Sequence, residues 1–223
     1  MEELELAVFD LAGTTVEDRG QVPEAFISAL ADQGIVVTPE QVKQVRGASK
    51  RQALRQLIPA GTDQESRIAA AYAAFKLYLR NAFASGGVCA IPGAEGTLQV
   101  LRQHGVKVAI NTGFDRDITE LLLEALGWDH GLIDAVICGD EVVQGRPAPY
   151  MIFRAMEATA TLSTFRVAVV GDTLLDLQAG ANAGVRWNIG VLTGAHDRSI
   201  LEAGPHTHLL ASVADMLQIW PDE

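Results

Sequence analysis

Short, nearly continuous apolar runs recur along the chain, and each ends on a polar or glycine-containing turn. The first, residues 4–9 (LELAVF), stops at Asp10. The next, 106–111 (VKVAIN), hands over to Thr112 and Gly113, and 134–138 (DAVIC) precedes Gly139 and Asp140. Residues 166–170 (RVAVV) lead to Gly171 and Asp172, and 185–192 (VRWNIGVL) lead to Thr193 and Gly194. Runs this short, without polar alternation, predict strands buried on both faces. Helical periodicity fills the gaps at 94–104, 115–126, 149–160 and 174–183. Strand and helix alternate, which predicts an α/β fold with a Rossmann-like parallel sheet covered by helices.

Residues 18–88 break this rhythm. They carry helical signals and no clear strand. Residues 22–33 fit an amphipathic helix. Pro39 suits the first position of a second helix running to about Val45, with Gly47 as its stop. Ser49 can cap a third, KRQALRQLI, and residues 63–83 make a long fourth. The expected organisation is therefore a catalytic core of residues 1–17 and 89–223, with a helical cap of residues 18–88 inserted after the first strand.

Composition narrows the partners. The formal net charge of −11 argues against nucleic acid or an anionic membrane surface, since both reward basic patches. Cys89 and Cys138 stand outside any CxxC pattern and in apolar surroundings, so buried reduced thiols are expected. The acidic start, MEELELAVFD, lacks the basic and apolar regions of a signal peptide, and no apolar run approaches a membrane span. A soluble cytoplasmic protein is expected.

In an open parallel sheet, ligands bind beyond the C-terminal strand ends. Asp10, Thr112, Asp140 and Asp172 all fall there. Any one alone could be a turn or cap residue. Together they would deliver carboxylates and a hydroxyl to one edge. Clustered carboxylates call for a hard cation, Mg²⁺ by preference, held through Asp10 and Asp172 with waters and substrate oxygens. Arg146, in GRPAP, would neutralise a nucleophile and a transferring phosphoryl group, although an exposed loop arginine is the plainer reading. Thr112 and the Gly113 amide would hold phosphate oxygens, and Asp10 would be the nucleophile.

Four segments, FDLAGTT, NTG, GRPAP and VGDTLLDLQAGANAG, resemble in order and spacing the motifs of the haloacid dehalogenase superfamily. The resemblance spans essentially the whole chain. It implies an aspartyl-phosphate on Asp10, and metal ligation by Asp10, the Ala12 carbonyl and Asp172, with Asp176 supporting through water. It also implies phosphoryl binding by Thr112 and Arg146.

Most phosphatases of that superfamily carry a second aspartate, the acid/base, two residues after the nucleophile. Here that position is Ala12. The phosphonatase branch resembles this chain in that departure, through Asp10-Leu-Ala-Gly-Thr-Thr15, Gly145-Arg-Pro147, Gly171-Asp-Thr173 and Asn182-Ala-Gly184. In that branch a cap lysine forms a Schiff base with the substrate aldehyde. Among Lys43, Lys50 and Lys76, Lys50 matches it, three residues after Gly47 at a helix start. Nearby Arg46, Arg51 and Arg55 would favour its free amine if they approach in space. The surroundings differ from that branch, which has Met-Gly-Leu-Leu-Lys and a histidine three residues on. Here the run is Arg46-Gly-Ala-Ser-Lys50, with Ala53 at the histidine position.

The expected activity is hydrolysis of a small organophosphonate, phosphonoacetaldehyde among the candidates, or of a phosphate ester. One alternative is a phosphatase in which Lys50 only binds substrate; another is a non-catalytic binder on the same fold. The branch resemblance also implies a homodimer. Asp115 and Asp117 read as helix caps, and Asp140 with Glu141 as either a cap or metal neighbours. His196, His206 and His208 read as loop or packing residues, and Trp128, Trp187 and Trp220 as packing residues.

Overall fold

The computed structural model describes residues 4–128 and 131–219. Its centre is a parallel sheet of six strands: β1 (Leu6–Phe9), β2 (Lys107–Thr112), β3 (Ala135–Cys138), β4 (Val167–Gly171), β5 (Trp187–Val191) and β6 (His208–Leu210). Their order across the sheet is β3-β2-β1-β4-β5-β6. β1 and β4 are apolar throughout because both faces are covered; every residue of β1, β4 and β5 is buried, including the polar Asn188 of β5.

Register places the chemistry. Phe9 is level with Ile110 on β2 and with Val170 on β4. Asp10 therefore leaves the sheet beside Asn111 and Gly171, with Thr112 and Asp172 one residue further out. Chain order reverses around β1, so these three strand ends border the crevice in which such sheets bind ligands.

Four helices fill the insert: α1 (Gln21–Ala31), α2 (Pro39–Gln44), α3 (Lys50–Leu57) and α4 (Gln64–Gly86). On α4 the buried residues Ile68, Ala71, Tyr72, Phe75, Leu79 and Phe83 recur every three or four positions, giving one apolar stripe. The stripe packs on the Val22, Ala25, Phe26, Ala29 and Leu30 face of α1, with the Phe26 and Phe75 rings 4.5 Å apart. Thr38 and Gln41 form a reciprocal capping box around Pro39, which starts α2 as its fixed φ favours. Around the sheet lie α5 (Ala94–Gln103), α6 (Arg116–Leu126), α7 (Tyr150–Ala158), α8 (Leu174–Ala183), α9 (Arg198–Glu202) and α10 (Met216–Ile219).

The cap rests on the core through polar contacts. Lys76 and Arg80 on α4 both reach Asp117 at the start of α6, at 3.1 and 2.8 Å. Lys43 pairs with Asp197 at 3.3 Å. Asp115 does hold the N-cap position of α6, but its side chain makes no capping bond there.

The sequence pattern yields five strands; the structure adds β6, whose three half-buried residues pair with β5. A run of three has no period to read. His208 thus begins a strand instead of lying in a loop. Trp128 and Trp187 are buried packing residues, and Trp220 lies outside the described residues. Cys138 is buried and Cys89 half-buried, both as free thiols. Among the described residues, no helix is long and apolar enough to cross a membrane.

Candidate active site

The turn after β1 folds back tightly on the end of β4. The Thr14 hydroxyl donates to Asp172 Oδ1 at 3.1 Å, and the Thr15 hydroxyl donates to the Asp10 carbonyl at 2.9 Å. Gly13 has a φ of +96°, and a side chain there would meet Asp172 Oδ2 at 2.6 Å. Only glycine meets both demands. The backbone N–H of Ala195 supplies a second donor to Asp172, at 2.7 Å.

Arg146 is 1% exposed and joins the strand ends. Its Nη2 lies 2.7 Å from Asp10 Oδ1, and its Nη1 lies 2.9 Å from Asp176 Oδ1. Nη2 also donates to the Asn111 carbonyl at 2.8 Å and to the Asn111 side-chain oxygen at 2.6 Å. Asn111, the first residue of the NTG segment, is a site residue to which the sequence alone assigns no role, because it closes an apolar run. Its polarity at a strand end was the available signal. Asp176 also accepts from the Thr173 N–H at 3.0 Å, closing the capping box of α8.

Asp10, Arg146 and Asp172 border one small cavity of about 20 Å³. Its core wall is Asp10, Ala12, Thr112, Gly113, Phe114, Arg146, Asp172 and Thr173. Its cap wall is Val22, Arg46, Gly47 and Lys50. Of the residues expected in the site, Asp176 alone stands behind this lining, against Arg146. Asp140 is elsewhere, accepting from the Arg116 N–H at 3.2 Å, and Glu141 pairs with the Arg116 side chain. No helix follows Asp140 directly; it reaches instead across to the first N–H of α6. His196 is buried, and its Nδ1 accepts from the Leu174 N–H at 2.9 Å, as a packing residue would.

Lys50 begins α3 and is 7% exposed. Its ammonium lies 4.4 Å from the centre of the Phe114 ring. Burial lowers its pKa to about 8; Arg46 adds to this and Asp10 opposes it. Of the three neighbouring arginines, Arg46 alone shares the cavity. Arg51 stacks on Tyr72, and Arg55 pairs with Glu65 at the surface.

Burial pushes both Asp172 and Asp176 above the usual carboxylate range. The charge of Asp10 adds to the shift at Asp172, whereas Arg146 opposes it at Asp176. Among the described residues, no three His, Cys, Asp or Glu side chains form a ready cation cage. A small hard cation that keeps most of its waters needs only one or two carboxylates. Asp10 and Asp172, crowded and desolvated at one edge, fit that requirement.

A parallel sheet under a helical cap, with an acid at the end of its central strand and a buried arginine against it, defines a class of hydrolase. The haloacid dehalogenase-like hydrolase family model matches residues 4–184, and the chain belongs to that family. A phosphonoacetaldehyde hydrolase from Bacteroides fragilis is 32% identical over 221 residues, covering 92% of this chain and 82% of the relative. Its Bacillus cereus counterpart is 27% identical over 213 residues, covering 90% and 80%. The fold is shared with a solved phosphonoacetaldehyde hydrolase-like protein from Oleispira antarctica. That match has a TM-score of 0.85 at 22% identity, and covers 97% of this chain and 91% of the other.

Proposed function

We propose that the protein is a Mg²⁺-dependent phosphonatase-like hydrolase that cleaves a small organophosphonate or phosphate ester through an aspartyl-phosphate on Asp10. One observation carries this reading. Asp10, held by Arg146, faces Lys50 across a single cavity in which residue 12 offers only a methyl group.

In this reading the Asp10 carboxylate attacks phosphorus as the bond to the leaving part breaks. Arg146 holds the carboxylate and offsets charge on the phosphoryl oxygens. The Thr112 hydroxyl and the Gly113 N–H position those oxygens. Water then attacks the aspartyl-phosphate at phosphorus, releasing phosphate and restoring Asp10. Asp10, the Ala12 carbonyl and Asp172 would hold Mg²⁺, with Asp176 supporting, and the bound ion supplies neutralising charge to the phosphoryl oxygens.

For an aldehyde-bearing phosphonate, the Lys50 amine condenses with the carbonyl and releases water. The protonated imine takes up the electron pair of the C–P bond as an enamine. Protonation and hydrolysis then return the free carbonyl product and the amine. No acid is needed at residue 12. The relatives named phosphonoacetaldehyde hydrolase support this substrate class.

The position of Lys50 over Phe114 favours a second reading, in which a retained ammonium only binds the substrate of a phosphatase. Borohydride trapping with phosphonoacetaldehyde, together with a phosphonate and phosphate-ester panel with and without Mg²⁺, separates the two. The first reading expects a reduced adduct on Lys50 and Mg²⁺-dependent phosphate release. No adduct, with full phosphate-ester turnover by Lys50→Ala, overturns it.

A further inference from the structure

The cap wall of the cavity holds a second buried cation that the mechanism above leaves unused. Arg46 is 9% exposed and lies in the loop between α2 and α3. Its Nη2 pairs with Asp18 Oδ2 at 2.6 Å. Asp18 is itself fixed, because its Oδ1 accepts from the backbone N–H groups of Gly20 and Val22 at 3.1 and 3.3 Å. Asp18 therefore holds the guanidinium as its ion-pair partner. Among the described residues, this is the one ion pair that Arg46 makes. A guanidinium has five N–H donors in a planar fork, so most remain for the cavity that Arg46 lines.

The two walls differ in kind. The core wall carries the groups that handle a phosphoryl group. The cap wall offers Lys50, Arg46, the backbone of Gly47 and the apolar Val22, with no carboxylate or hydroxyl side chain. The leaving part of the substrate must lie against that wall. A planar anion with two oxygens is the group that a buried guanidinium fork matches best. The cap wall stands directly across this small cavity from the core wall, so a group bound by Arg46 lies close to the scissile bond.

We propose that Arg46, paired with Asp18, is a specificity-determining residue that binds a carboxylate on the leaving part of the substrate, one or two carbons from the bond that breaks. This rests on the phosphoryl-transfer reading given above. It narrows the substrate class to carboxylated small phosphonates or phosphate esters, such as 2-oxo acids with phosphorus on the next carbon.

Matched pairs test this. Phosphonoacetaldehyde is compared with phosphonopyruvate, and ethyl phosphate with phosphoglycolate, by kcat/KM. The carboxylated member of a pair should be preferred at least tenfold. Arg46→Lys, which keeps the charge but loses the fork, should penalise that member at least tenfold more than its partner, mainly through KM. Removing Arg46 alone would strand the buried Asp18 carboxylate, so the double variant Asp18→Asn/Arg46→Met serves as the neutral control and should abolish the preference. A preference for the carboxylate-free members, or equal losses for both members, overturns the proposal.

Calorimetric binding of the same pairs to Asp10→Asn protein repeats the test without turnover. There, carboxylated compounds that bind no tighter also overturn it. Hydrolysis that persists in Asp10→Asn counts instead against the assignment of the nucleophile.

Discussion

Arg146 Nη2 lies 2.7 Å from Asp10 Oδ1 in an ion pair, and both side chains are buried. The same guanidinium holds Asp176 at 2.9 Å, so one cation aligns two acids, one at the end of β1 and one in the first turn of α8. Breaking a buried pair strands a desolvated charge, at a cost of about 3–5 kcal/mol. Arg146→Ala should therefore lower unfolding stability by about that amount in urea titrations. It should also lower kcat by roughly 10²–10³, as the loss of a preorganised charge-stabilising group does. Arg146→Lys keeps the charge but cannot span both acids, and should fall between the two in stability and rate.

Lys50 should impose a pH dependence of definite sign. Its pKa is lowered to about 8 in the folded chain, from an unfolded value near 10.5. Between these values the unfolded chain binds the extra proton, so this group makes stability rise with pH across about pH 8–10.5. Below that window the fold bears the full cost of a buried ammonium. Lys50→Met should then raise the melting temperature at pH 7, and the difference should shrink as pH approaches 10. Borohydride trapping, which needs the free amine, should accelerate as pH rises through about 8 and level off above it.

The fold was legible wherever apolar runs were long enough to have a pattern. Asp10, Thr112 and Asp172 stood out because each ends such a run, and parallel register then brings the ends together. Contacts between distant segments were not legible. The Arg146–Asn111 bonds and the Arg46–Asp18 pair join residues whose proximity only folding creates. Proximity also decided among the arginines near Lys50: three are close in sequence, and one shares its cavity. β6 was missed because three residues carry no periodic signal.

The cap and core meet through exposed ion pairs at Asp117, which accepts from Lys76 and Arg80. Exposed pairs contribute about 0–1 kcal/mol each and weaken with salt. Asp117→Asn should therefore barely change global stability. Its effect should appear as a KM raised by roughly two- to fivefold at low salt, since about 0.4–1 kcal/mol of cap docking is lost. In wild type, KM should climb with ionic strength, whereas the variant should respond less. Identical KM values at low salt would mean that these pairs do not hold the cap in place during turnover.

Gly113 offers a more local test of cap placement. A side chain there would lie 2.5 Å from the Ala48 carbonyl oxygen and 3.4 Å from Lys50 Nζ. The Ala48 oxygen is backbone and cannot rotate away, so the cap loop that carries Arg46 and Lys50 would have to shift. Neither the sheet nor the cap core needs to move. Gly113→Ala should thus cost about 1–3 kcal/mol of stability, in the range of overpacking changes. Catalysis should suffer more, with kcat/KM falling by about 10²-fold for a displacement near 1 Å. Borohydride trapping on Lys50 should slow in parallel, while Mg²⁺-dependent turnover of an activated aryl phosphate, whose leaving group needs no help from the cap, should fall less. Equal losses on both substrates would place the damage at the proposed phosphoryl site of Thr112 and Gly113 instead of the cap loop.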